Sequence, residues 1–316
     1  VETPILPLIN HDQIEGCLLG TALADASGAI FEGVPRAHLQ EQFASPQVAL
    51  QTAWTRQIHY TDDTQMTLAL AKYLAGAAAI DSASLMQAFV DEYESWRGYG
   101  RGTRTLIDAY RYQSDWNFLA DTLFPGGSLG NGAAMRSAPL GLRFVGDHAT
   151  IWQQASLSAY PTHRHQLGIE GAQLMALATS LAVELPEISP QILSSALQPW
   201  CQTTVFGKRI KLLAAISDAK QIEQFGNGIE AHESVVTALA CFSLSPDSYP
   251  DAIAMAIWQG GDTDTIAAMT GALCGARSGS SAIPAAPLEN LEDEAFLKSV
   301  NTIAGDLRAR IARQAT

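Results

Sequence analysis

"DTIAAMTGALCGA", residues 264–276, places Ile266, Met269 and Leu273 at three- and four-residue intervals and fills the positions between them with Ala, Gly, Thr and Cys. That spacing predicts a helix, and a segment small or apolar on nearly every side predicts one buried inside a larger helical assembly. The pattern recurs in "TQMTLALAKYLAGAAA" (64–79), "SASLMQAFVDEYESW" (82–96), "HQLGIEGAQLMALATSLAVEL" (165–185) and "HESVVTALACFSL" (232–244). Alternating β-branched runs are nearly absent, and Gly, Pro, Asp and Ser punctuate segments of ordinary helix length, so the fold class is all-α. No repeat of fixed period is present. Helices on both sides of every loop are equally apolar, and residues 1–316 are expected to form one domain. The one linker-like stretch, "RSGSSAIPAAP" (277–287), precedes a last helix predicted to start near Leu288.

A hydrophobic share of 47% against 16% charged residues supplies an ample core and excludes disorder of the whole chain. The formal charge of −13 argues against a nucleic-acid partner, because phosphate-backbone binding runs on Lys and Arg. An anionic small ligand stays open, since metal ions or helix N-termini can supply positive potential locally. Cys17, Cys201, Cys241 and Cys274 are far apart with no zinc-like spacing, which fits free thiols in a reducing compartment. The apolar stretch "CLLGTALADASGAIF" (17–31) is broken by Asp25 and lacks a basic leader, so neither a signal peptide nor a membrane span is expected. The expectation is a cytoplasmic monomer without membrane contacts.

Two helix starts carry the same inventory. "YTDDT" (60–64) offers Thr61, Asp62 and Asp63, and "GGDTDT" (260–265) offers Asp262, Asp264 and Thr265. Carboxylate and hydroxyl oxygens are hard ligands suited to Mg²⁺, Mn²⁺ or Ca²⁺. Brought together, four carboxylates could hold two divalent ions about 3.5–4 Å apart, and without ions that much buried negative charge is unfavourable. Spacing alone equally allows two unrelated acidic N-caps. Asp25 and Glu32, seven residues apart, are expected on one side of a single helix, where an embedded acid either moves protons or is satisfied by a cation.

Gly126, Gly127, Gly130 and Gly132 in "FPGGSLGNGAAMRSAPLGL" (124–142) form either a phosphate cradle or a tight loop entering a helix, as does "QFGNGIEAHES" (224–234). His163 and His165 in "PTHRHQLG" either meet an anion or metal or lie on the surface. Tyr99 in "RGYGRGT" (97–103) either packs on a ligand or plugs the surface.

Taken in this order, these stretches resemble the ADP-ribosylglycohydrolase family from about residue 14 to 276. The resemblance implies an orthogonal all-α multi-helix bundle that removes ADP-ribose from modified proteins or small molecules, with two Mg²⁺ or Mn²⁺ ions in a cleft. It assigns Thr61, Asp62, Asp63, Asp262, Asp264 and Thr265 as metal ligands and Glu32 as a catalytic or gating carboxylate, with proton transfer falling to Glu32 or Asp63. It assigns Ser128, Leu129, Gly130, Asn131 and Gly132 to the diphosphate and distal ribose, and His163 to the phosphates. Tyr99 and Gly100 join the substrate wall, and Ile229 with Gly226, Asn227 and Gly228 forms the adenosine side. Two departures stand out: Ala24-Asp25 replaces the usual Gly-Asp, and Leu129 replaces an aromatic residue found in some relatives. "RGYGRGT" and "GNGIEAHESVVTALACF" resemble the branch acting on seryl-linked ADP-ribose, poly(ADP-ribose) and O-acetyl-ADP-ribose. The branch that cleaves ADP-ribosyl-arginine carries an Asp near the position of Gly100. The alternatives are an arginine-type hydrolase, a non-catalytic ADP-ribose-binding or crystallin-like relative, a metal phosphohydrolase, and a helical scaffold with acidic caps.

Overall fold

The computed structural model describes residues 9–313. Among them the chain forms α1 (His11–Ala29), α2 (Arg36–Gln42), α3 (Pro46–Trp54), α4 (Asp62–Gly76), α5 (Ser82–Glu92), α6 (Arg101–Arg111), α7 (Trp116–Thr122), α8 (Ala138–Arg143) and α9 (His148–Ala159). There follow α10 (Gln166–Glu184), α11 (Pro190–Leu197), α12 (Thr204–Leu213), α13 (Ala231–Leu244), α14 (Tyr249–Ile257), α15 (Thr263–Ser278), α16 (Ala285–Leu288) and α17 (Glu294–Ala312). Strand-like pairing among the described residues is limited to two isolated bridges, Ile58 with Leu291 and Gly130 with Glu230, so the fold is all-α as the periodicity predicts. No helix among the described residues is long and apolar enough to cross a membrane.

Helix starts follow the local chemistry. Asn10 and Gln13 close a reciprocal capping box on α1, Thr61 accepts from the Asp63 N–H at the start of α4, and Asp81, Asp115, Asp147 and Asp293 cap α5, α7, α9 and α17. Nearly all buried apolar side chains, from Ile9 to Leu307, form one contiguous cluster.

At its centre α1 and α15 run antiparallel with their backbones in contact. A methyl group added at Gly275 would overlap the Gly16 carbonyl, one at Gly271 the Gly20 carbonyl, and one at Gly28 the Thr263 carbonyl. The small residues of "DTIAAMTGALCGA" are therefore what lets two helices approach more closely than ordinary side chains permit. Helices α10, α13 and α14 pack on α15, while α4 and α17 pack on α1. The Glu32 end of α1, the start of α15 and the start of α4 thus lie at one end of the central pair.

Two expectations are corrected. Helix α1 stops at Ala29, because the Gly28 carbonyl is taken by Phe31 N–H (2.8 Å) and by the Thr263 hydroxyl (2.9 Å). Glu32 therefore stands in the turn beyond the helix and not on a shared face with Asp25. The last long helix begins at Glu294 and not near Leu288, which closes a single turn. The intervening Glu292 is drawn back to Arg97 (2.5 Å) and to the Tyr60 N–H (3.1 Å).

Candidate active site

The turn after α1 is tied to the loop before α15 by two backbone hydrogen bonds, Gly33 N–H to Gly261 O (2.8 Å) and Gly261 N–H to Val34 O (3.0 Å). Asp262 N–H donates to Asn227 O at 2.9 Å, which fixes the next residue. These ties place Glu32 beside Asp262, close enough that Asp262 helps raise the Glu32 pKa, after burial itself.

Asp25, buried in α1, accepts four hydrogen bonds from the start of α4: the N–H groups of Thr61 (2.9 Å) and Thr64 (3.1 Å) and the hydroxyls of Thr61 (2.8 Å) and Thr64 (2.5 Å). The acid embedded in the apolar helix therefore has amide and hydroxyl partners, and it locks the first Asp–Thr corner to the central pair. Asp25→Ala leaves those donors without an acceptor and is expected to cost about 2–3 kcal/mol, read as a lower denaturation midpoint at unchanged m-value. The corner is held from its other side as well, since Asp62 N–H donates to Arg97 O (2.7 Å) and the Arg97 guanidinium stacks on Tyr60 and Trp96.

Asp62, Asp63, Asp262, Asp264 and Thr265 line one cavity of about 430 Å³ together with Glu32. The corners meet where the Thr265 hydroxyl lies 3.3 Å from Asp63 Oδ2, which is also 3.2 Å from the Thr61 hydroxyl. Asp262 holds the N-cap position of α15 but makes no capping hydrogen bond; its Oδ2 instead accepts from Asn131 Nδ2 at 2.5 Å. Burial raises the pKa of all four aspartates, and neighbouring carboxylates push Asp62, Asp63 and Asp264 further up. Asp63 Oδ1 is buried with no hydrogen-bond partner among the described residues.

A sequence model of the ADP-ribosylglycohydrolase family matches residues 7–316, nearly the whole chain. The chain belongs to that family. It is 31% identical to ADP-ribosylhydrolase ARH3 of Mus musculus, with 86% of this chain and 85% of that one covered. The Homo sapiens ARH3 is likewise 31% identical, over 86% and 87% of the two chains. A solved structure titled "ADP-ribosylglycohydrolase-related protein complex" shares the fold with a TM-score of 0.71 at 24% identity, covering 95% of this chain and 98% of that one. The protein is thus an enzyme, a glycohydrolase of ADP-ribosyl bonds.

In this glycohydrolase the cavity gathers Gly100, Ser128, Gly130, Asn131, Gly132, His163 and Ile229 from the sequence-derived substrate set. Two others stand back: Tyr99 is buried, with its hydroxyl donating to Gln65 Oε1 at 2.7 Å, and Leu129 gives its carbonyl to Ala231 N–H. Of the expected metal ligands, Thr61 does not border the cavity, and its hydroxyl donates to Asp25. Asn227 supports Gly261 and Asp262 from behind, Gly226 and Gly228 lie against Glu233, and none of the three borders the cavity. His163 is 6% exposed and so is not a surface histidine, while His165 caps α10 by accepting from Leu167 N–H. The residue-by-residue reading missed Arg101, Thr103, Leu123, Phe124, Met135 and Thr162, all of which line the cavity. Phe124 carried a signal, being an aromatic side chain directly ahead of a Pro-Gly-Gly loop. It also missed Glu230, His232 and Glu233, a trio whose potential ligand atoms lie within 4.8 Å of one another.

Proposed function

We propose that Asp62, Asp63, Asp262 and Asp264, with Thr61 and Thr265, hold two divalent cations, Mg²⁺ or Mn²⁺. With them, one domain spanning residues 1–316 hydrolyses the bond at C1 of the proximal ribose in seryl-linked ADP-ribose or O-acetyl-ADP-ribose. The observation that carries this reading is the meeting of the two Asp–Thr corners across one cavity. The donor set fits such ions. It is all carboxylate and hydroxyl oxygen, the acids repel one another when ionised, and Asp63 keeps a buried oxygen without a partner among the described residues. Bound cations would neutralise the cluster, orient ribose hydroxyls and acidify a water.

The chain's own side chains supply the rest. Asn131 steadies Asp262 by its short hydrogen bond, and the Asn131 N–H is itself pinned to Ile229 O at 2.9 Å, which keeps the 128–132 loop against the wall of the cavity. Phe124 and Ile229, both exposed on the cavity, offer apolar faces to a nucleobase. Glu32 sits at the mouth with its pKa raised by burial and by Asp262, so it can give a proton to the departing oxygen or take one from water. The partly dry wall around the aspartates strengthens their attraction for positive charge building on the sugar. The relatives named ADP-ribosylhydrolase support an ADP-ribosyl bond as the one cleaved, and the stretch "RGYGRGT", which lacks an Asp near Gly100, supports the seryl and acetyl preference.

A panel of seryl-, arginyl- and acetyl-linked ADP-ribose, each with Mg²⁺ and with Mn²⁺, tests the reading. Intact ADP-ribose released fastest from the seryl or acetyl substrate is the expected result. Release confined to the arginyl substrate contradicts the preference, and AMP plus ribose phosphate as products contradicts glycosidic cleavage.

A further inference from the structure

Behind the cavity lies a buried chain of donors and acceptors. Arg136 is fully buried, with Nη1 2.7 Å from Gly132 O and Nη2 3.0 Å from Ser158 O and 2.8 Å from the Thr162 hydroxyl. The Thr162 oxygen lies 2.7 Å from His163 Nδ1. A guanidinium can only donate, so the hydroxyl accepts from Arg136. Its single proton then has one acceptor within reach among the described residues, His163 Nδ1. If Nδ1 carried the ring proton instead, two donors would face the hydroxyl and its own proton would be left unplaced in a site 4% exposed.

His163 Nε2 has no protein partner among the described residues and is not fully enclosed. It lies against the 130–132 loop, where a methyl group at Gly132 would stand 3.1 Å from it. Gly130, Gly132 and His163 line the cavity.

We propose that Arg136 and Thr162 are positioning residues that hold His163 as its Nε2–H tautomer, so that this N–H donates into the cavity to an anionic oxygen of the bound substrate. This rests on the cavity being the ADP-ribose site. Burial, aided by the Arg136 charge, pushes the His163 pKa down to about 3, so the ring keeps a single proton throughout the neutral range. Arg136, lowered by burial to about 9, stays charged at neutral pH and keeps donating. Neither residue touches the reacting atoms; both act through the imidazole.

Long-range ¹H–¹⁵N correlation spectra of the histidine-labelled full chain read the tautomer directly, without ligand. Wild type is expected to show Nε2 protonated and Nδ1 bare. Thr162→Val is expected to give a tautomer mixture and to weaken ADP-ribose binding about tenfold, and Thr162→Ser to restore both. A wild-type ring protonated at Nδ1 overturns the proposal, as does a Thr162→Val protein with unchanged tautomer and affinity. Should Thr162→Val not fold, the wild-type spectrum still decides. His163→Ala separates this proposal from the reading beneath it. Unchanged ADP-ribose affinity there removes the substrate contact and the proposal with it. Weakened binding beside an unperturbed Thr162→Val overturns the relay alone and leaves the ADP-ribose site standing.

Discussion

Asp264→Asn is expected to abolish turnover, with a loss of about 10³-fold or more, and at the same time to make the metal-free protein melt higher. The activity loss follows from removing one proposed ligand. Partners one shell further out already cost about 10–100-fold when mutated, and a direct ligand costs more. The stability gain follows from the raised pKa of Asp264, caused by burial first and by Asp262 second. A carboxyl with a raised folded-state pKa takes up a proton on folding wherever the pH lies between its ordinary 3.8 and the raised value, so its contribution to stability falls as pH rises through that window. The neighbouring Asp62, pushed up to about 8, behaves in the same way. Asn carries no such titration. At pH 7.5 in chelator the variant is therefore expected to melt at least about 3 °C above wild type, the difference shrinking as the pH is lowered toward 4. Asp262→Asn should lose as much activity but gain less stability, because hydrogen bonds with Asp264, Asn131 and Thr265 offset part of the rise that burial gives the Asp262 pKa. Turnover of Asp264→Asn within a few-fold of wild type, or a lower melting temperature in chelator, contradicts the account.

Gly275→Ala is expected to cost about 3 kcal/mol, or roughly 6–12 °C in melting temperature, although it adds a single methyl group to a helix. Intrinsic propensity favours Ala over Gly in a helix by about 1 kcal/mol, so the sign of the result is informative. The added carbon would overlap the Gly16 carbonyl, which is backbone and can move only if α1 and α15 separate. Gly76→Ala is the control. Nothing lies within 4 Å of a methyl group at that position, and stability should rise by about 0.5 kcal/mol. Position along the pair matters too. Gly275 lies far from the aspartates, so its Ala variant keeps activity at temperatures where it is folded. A methyl group at Gly28 would press on Thr263 O and Asp264 Cα, so Gly28→Ala should lose stability and activity together.

The Asp–Thr corners were legible because the residue types themselves name hard-oxygen chemistry, and their place at helix starts follows from local capping. Their convergence was not, since 202 residues separate Thr265 from Asp63 and only packing brings them to 3.3 Å. The small-residue stretches announced burial, but not that α1 would be the partner of α15; that pairing depends on Gly16, Gly20, Gly271 and Gly275 falling opposite one another. The end of α1 was less legible: Gly28 is a local signal ahead of Glu32, but a lone Gly does not by itself end a helix, and here the Gly28 carbonyl is taken by the Phe31 N–H and by the Thr263 hydroxyl from across the fold. Asp25 was seen as a buried acid, yet its four donors from α4 lie beyond any periodicity argument. Phe124 carried a signal in its place ahead of the Pro-Gly-Gly loop, but that signal points to a ligand only once the cavity beside it is known.

The central claim, that both Asp–Thr corners together hold divalent cations, is tested most directly by thermal melting of chelator-stripped wild type and Asp264→Asn during Mg²⁺ and Mn²⁺ titration. A saturable rise in melting temperature in wild type that is lost or strongly weakened in Asp264→Asn is the predicted result. Equal stabilisation of both proteins, or of neither, contradicts it.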